Sequence, residues 1–163
     1  MNYKNFVRMF MKADNDDKKA ELVRKHIKND YVPYEKKIAE ARKIIELADY
    51  VDVQGKKTYK RNSPMTYLLF IIRLLANYTD FEWENGKEEM DVYNLLTKNG
   101  IITTFISVLP DNEYDEFSTV LRMTEDDEYE NYRSFAGFME SKVEAINLAL
   151  NALTEVIPQI EQQ

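Results

Sequence analysis

Carboxylates are the one chemically capable side chain this sequence holds in surplus, with 29 Asp+Glu against a single histidine and no cysteine. Asp80, Glu82, Glu84 and Asp91 have the alternating acidic spacing of a calcium loop, whose twelfth position is a carboxylate. The loop needs glycine at its sixth position, where this chain has Asn85, with Gly86 one place late. Asp14-Asn15-Asp16-Asp17 fails the same test, with Lys19 at the turn and Lys25 at the twelfth position. A solvated loop anchored by Phe81 and Trp83 is the better expectation for the first stretch. No metal site is expected. Paired carboxylates can also hydrolyse glycosides, but that requires a fixed separation in a sugar-binding cleft, and nothing in the sequence signals one.

The other catalytic classes fare worse. His26 stands alone, which removes HExxH chemistry and any multi-histidine metal centre. A Ser-His-Asp arrangement would have to use it, yet Arg24, Lys25 and Lys28 surround it in sequence and make it a poor base. The four glycines (Gly55, Gly86, Gly100, Gly137) form neither GxGxxG nor GxxxxGK[ST], so phosphate-cradling loops are absent. Without cysteine there is neither a disulfide framework nor a thiolate site. The expectation is a non-enzymatic protein that needs no cofactor.

Charge then becomes the leading signal. Residues 1–61 hold sixteen Lys+Arg against ten Asp+Glu, whereas residues 62–163 hold six against nineteen. The basic front carries Lys18, Lys19, Lys25 and Lys28 on one predicted helix and Lys56, Lys57, Lys60 and Arg61 in a following loop. Basic residues with Tyr50 and Tyr59 nearby can grip phosphates and stack on bases, but the net charge of −7 opposes a polyanion, so nucleic acid is an unfavoured partner. Glu21, four residues before Lys25, points to ordinary pairing along a helix.

The acidic rear offers Asp111, Glu113, Asp115 and Glu116, then Glu125, Asp126, Asp127, Glu128 and Glu130. At i, i+3 and i+4 spacing these stand on one helix face, where like charges cost a few tenths of a kcal/mol per pair. Such a face can be tolerated for solubility, or it can dock on a basic protein groove and steer association. The expected function is protein–protein interaction through this acidic face. Alternatives are a homo-oligomer or virion assembly joined through its unlike ends, and a nucleic-acid binder using the basic front.

The elements that position these residues read as helices. Tyr3, Phe6, Val7, Phe10 and Met11 repeat at helical spacing. A second helix is predicted over roughly 16–30, with Ala20, Val23, Ile27 and Tyr31 inward, and a third after Pro33 with Ile38, Ala41, Ile45 and Ala48 inward. Residues 50–60 suit a short hairpin turning at Gln54-Gly55 and an ordered loop equally well. Asn62-Ser63-Pro64-Met65-Thr66-Tyr67-Leu68-Leu69-Phe70 opens a helix over about 64–78 that is apolar nearly all round, and therefore central. Further helices are predicted from about Lys87 to Lys98, stopping at Asn99-Gly100, from Ile101 to Leu109, and after Asp111 or Asn112 with Tyr114, Phe117, Val120 and Leu121 inward. The last, about 132–157, keeps Phe135, Phe138 or Met139, Val143, Ile146, Leu150, Leu153 and Ile157 on one stripe that should face the core. The prediction is an all-α bundle of seven or eight helices in one domain spanning 1–163.

No apolar run reaches the ~20 residues a bilayer requires, and the start of the chain lacks signal-peptide character, so a cytoplasmic protein without membrane contact is expected. In its Lys/Asn/Tyr/Glu-rich composition, lack of cysteine and short helical build, the chain resembles small proteins of phages and mobile elements from AT-rich bacteria. The resemblance is one of composition and carries no motif. It implies a host-cytoplasmic protein that inhibits a nucleic-acid-processing or defence enzyme, as small acidic DNA mimics do.

Overall fold

Asn2 begins the first helix by accepting a hydrogen bond from the Lys4 N–H at 2.9 Å. In the computed structural model, residues 1–53, 55–82, 89–110 and 112–160 are described, with side chains except those of Lys56, Phe135, Ala136, Ser141 and 152–160. Their elements are α1 (Tyr3–Met11), α2 (Asp16–Arg24), α3 (Tyr34–Ala48), β1 (Tyr50–Val53), β2 (Lys56–Tyr59), α4 (Ser63–Tyr78), α5 (Glu89–Lys98), α6 (Ile101–Val108), α7 (Glu113–Arg133) and α8 (Phe135–Ile160). The all-α class expected from the sequence is present, and of hairpin and ordered loop it is the hairpin that forms.

Contacts along the chain group into two compact units, Met1–Thr124 and Glu125–Gln163, with the boundary inside α7. The core of the first unit forms around α4, whose Leu68, Leu69, Phe70, Ile71, Ile72, Leu74, Leu75 and Tyr78 are all buried. Asn62 caps that helix, and Pro64 lies in its first turn, where its missing N–H costs nothing. Helices α3 and α5 pack on α4, α6 packs on both α5 and α2, and the Phe70 ring meets Phe117 of α7 edge-on at 5.4 Å.

The second helix ends six residues earlier than its periodicity predicts. After Arg24 the backbone leaves helical geometry to pair with the chain beyond α4, with Lys28 N–H donating to the Tyr78 carbonyl (2.9 Å) and Asp80 N–H to the His26 carbonyl (3.1 Å). A bridge between Ile27 and Thr79 completes the contact. These long-range bonds displace the helical ones, and Tyr31, expected inside, lies exposed beyond them.

The hairpin pairs Tyr50 with Tyr59 and Val53 with Lys56, turning through Gly55 at φ 82°, a conformation glycine adopts without strain. Asp49 closes its base. One carboxylate oxygen accepts from Asn62 N–H (2.7 Å) and from the Thr66 hydroxyl (3.1 Å), tying the end of α3 to the start of α4. Gly100, at φ 74°, reverses the chain between α5 and α6 as the Asn99-Gly100 signal predicts.

Candidate interaction surfaces

The acidic positions do not form one face. Glu113 is only 6% exposed and Glu125 only 7%, so both are buried where the sequence places them on the docking surface. Glu113 accepts from the Tyr78 hydroxyl and from Val32 N–H (3.2 Å), and lies 3.0 Å from Lys37 Nζ. Glu116 is drawn to the same ammonium at 2.6 Å. On α7, Asp115, Asp126, Asp127 and Glu130 are exposed, with Glu128 half-buried, while Asp111 lies outside the described residues. At 100° per residue, Glu113, Phe117, Val120, Leu121 and Thr124 share the inward arc, and Glu125 borders it. Arg122 stands one turn before Asp126, and Arg133 stands three residues beyond Glu130, so even the exposed carboxylates alternate with cations.

Lys37 is the unexpected centre of this network. Its side chain is fully buried, on the same face of α3 as Ala41, Ile44, Ile45 and Ala48, with its ammonium 5.2 Å from the Tyr31 ring centroid. Burial by itself pulls the Lys37 pKa down, but hydrogen bonds to Glu116 and Glu113 outweigh it and hold the group above its ordinary value. Burial pushes Glu113 up, and the Tyr78, Lys37 and Val32 donors overcome that, leaving it below the usual carboxylate range. Burial and the adjacent Glu113 hold the Tyr78 phenol far above its normal value. The network is satisfied internally and joins α3, α4 and α7, which makes it a tie within the fold. The sequence did hold a signal, since Lys37 occupies a position of the apolar stripe beginning i, i+4, i+7 and i+8.

The basic positions are engaged by their own neighbours. Lys18 pairs with Asp14 (2.7 Å), Lys19 with Asp16 (3.4 Å), Lys25 with Glu21 (2.8 Å) and Lys57 with Glu46 (2.5 Å). Lys28 Nζ donates to the Ala76 carbonyl near the end of α4, a place that favours cations. Lys60 donates its backbone N–H to the Asp49 carbonyl, and Arg61 is exposed at the foot of the hairpin. The Lys56 side chain is outside the described set. Lys18, Lys19, Lys25 and Lys57 therefore belong to paired, solvated faces of separate elements.

His26, expected on a helix among cations, lies past the end of α2 with Nδ1 2.9 Å from an Asp80 carboxylate oxygen. Phe6 meets its ring edge-on at 5.3 Å and Phe81, buried as expected, lies 6.0 Å away. The terminal ammonium donates to the Asp80 carbonyl at 2.6 Å, so the chain start, His26 and the 79–82 segment are held together. Residues separated by 54 positions carry no local signal for such a pair. Trp83, Glu84, Asn85 and Gly86 of the calcium-like stretch fall outside the described residues. Among the described residues no three histidine or acidic side chains converge as a metal site would require, and no helix is long and apolar enough to cross a membrane.

The second unit presents a different surface. Ser134 separates α7 from α8 and caps the latter, its hydroxyl accepting from Gly137 N–H at 3.2 Å. The chain bends there so tightly that a Cβ on Gly137 would meet the Asn131 carbonyl oxygen at 2.7 Å. Beyond the bend, the apolar stripe expected to face the core lies open to solvent: Met139 is 43% exposed, Val143 52%, Ile146 59% and Leu150 54%. Helical periodicity places these four within about 60° of arc. Phe138 is off that line, with Lys142 Nζ 5.4 Å from its ring centroid, and Leu148 lies on the opposite side. A hollow of about 370 Å³ at the bend is lined by Tyr129, Glu130, Arg133 and Ser134. Compared with protein families, with curated proteins and with solved structures, the chain finds no match in any of the three.

Proposed function

We propose that this chain works by binding another macromolecule, and that the apolar seam of α8 is its principal contact. One observation carries this: Met139, Val143 and Ile146 repeat at helical spacing on one line and are each about half exposed. Single exposed apolar residues are ordinary, but a contiguous apolar line on a helix marks an interaction surface. The first unit supplies a folded body with its own buried core, and the second presents the seam beyond a fixed bend.

A photo-crosslinking residue placed at position 143 in the producing cell tests the proposal. Adducts forming at 143, and not at Thr103 on the exposed side of α6, are the expected result. Their absence at 143 contradicts it.

A second reading keeps a charged contact. Asp126, Asp127 and Glu130 are exposed within little more than one turn of α7 and fit a basic protein groove, such as that of a nucleic-acid-processing or defence enzyme. The interleaved Arg122 and Arg133 weaken that surface. A crosslinker at position 126 separates the two: adducts at 126 and none at 143 assign the function to the acidic side.

A further inference from the structure

The seam on α8 is spaced for a particular kind of occupant. Met139, Val143, Ile146 and Leu150 follow one another at steps of four, three and four, the alternation of d and a positions in a heptad. The sequence continues that alternation with Leu153, Ile157 and Ile160, with Val156 at a flanking g position of that continuation. A helix buried in a globular core shows a wider apolar face, typically including e or g positions, whereas a strict two-position line is a coiled-coil seam. Here the flanking e and g positions beside the described seam are Glu140, Lys142, Asn147 and Ala149, none of them a large apolar residue.

We infer that the seam is covered by α8 of a second copy of this chain, the two helices forming a short coiled coil. The inference rests on the seam being a contact surface, and adds what occupies it. Three features favour a second copy. The line is self-complementary, because a and d knobs of one helix enter holes made by the same residues of another.

Charge is the second feature: α8 has Lys142 as its only cation against Glu140, Glu144 and Glu155, and a helix lying on an anionic lipid surface needs basic residues along its polar side. Area is the third. The four described side chains expose on the order of 80–100 Å² each, so two copies remove roughly 700 Å² from water at these positions. In the sequence the same spacing runs on through positions 153, 157 and 160, so the line is longer than these four. At 26 residues α8 is about 39 Å long, enough for more than three heptads.

Sedimentation equilibrium of the full chain from about 1 to 100 µM tests this. The wild-type mass is expected to rise from 19.3 kDa towards twice that value with concentration. Ile146→Asp should weaken association at least ~10-fold, and Leu148→Asp, on the side away from the seam, should leave it unchanged. Ile146→Gln, which keeps a helix-favouring uncharged residue, guards against simple loss of α8 and should weaken association in the same direction. A wild-type chain that stays monomeric throughout overturns the inference, as does a dimer indifferent to both Ile146 variants. A monomer that crosslinks at 143 to a different protein overturns self-association while leaving α8 as the contact. A monomer that binds vesicles of phosphatidylcholine shows the occupant to be a lipid surface.

Discussion

At the scale of single residues, Lys37 decides how the acidic segment is used. A lysine read from sequence is assigned to solvent, because its ammonium is costly to bury unless it is paired and hydrogen-bonded. Here Glu113, Glu116 and the Tyr31 ring meet that requirement, which removes two of the nine acidic positions from any docking face. Replacing Lys37 with Ala leaves Glu113 buried beside Tyr78 with its countercharge gone, and should cost about 3–5 kcal/mol in urea unfolding at neutral pH. The pH dependence has a definite sign. Glu113 is held below its ordinary 4.5, so its contribution is complete above that value and is lost as pH falls through the folded-state value. Lys37 is held above its ordinary 10.5, so its contribution is complete below that value and is lost only as pH rises beyond it. Both are intact at neutral pH. Stability should therefore decline on the acid side, and Glu113→Gln should make the decline shallower; an unchanged slope would show that Glu113 is not held as described.

At the scale of elements, start and stop chemistry was legible wherever it was local. Asn62-Ser63-Pro64 opens α4, Gly100 breaks α5 from α6, and Gly55 turns the hairpin, each through a residue whose own backbone preference suffices. What failed were elements decided by distant partners. Periodicity carries α2 to residue 30, but hydrogen bonds from Lys28 and Asp80 across to the other strand of chain end it at Arg24. Periodicity also gives α8 its stripe correctly, yet a repeat cannot say whether the side facing it is core or water. The two glycines of the helical joints separate two physical causes. Ala at Gly100 meets no atom within 4 Å and should cost only the ~1 kcal/mol of a left-handed backbone. Ala at Gly137 collides with backbone at 2.7 Å, so it should cost about 1–3 kcal/mol and displace the bend, visible as chemical-shift changes centred on 131–138. Equal and small effects at both positions would remove the case for a tightly closed bend.

At the scale of the whole molecule, part of the charge that dominates the sequence is engaged in internal contacts. Four of the basic candidates pair with carboxylates from the same basic segment, and Lys37 of that segment binds Glu113 and Glu116 of the acidic one. Charge bias between halves is a property of the chain, and folding redistributes it by geometry that no local window contains. The apolar seam of α8 is the feature that folding leaves open. Amide hydrogen exchange along α8 tests that claim most directly. In dilute solution, amides of 139–150 should exchange far faster than those of 68–75 in α4, and should become protected as the chain concentration or a partner is raised. Amides of 139–150 that exchange as slowly as those of α4 in the dilute chain, and at the same rate in Ile146→Gln, would place the seam in the interior and contradict the account.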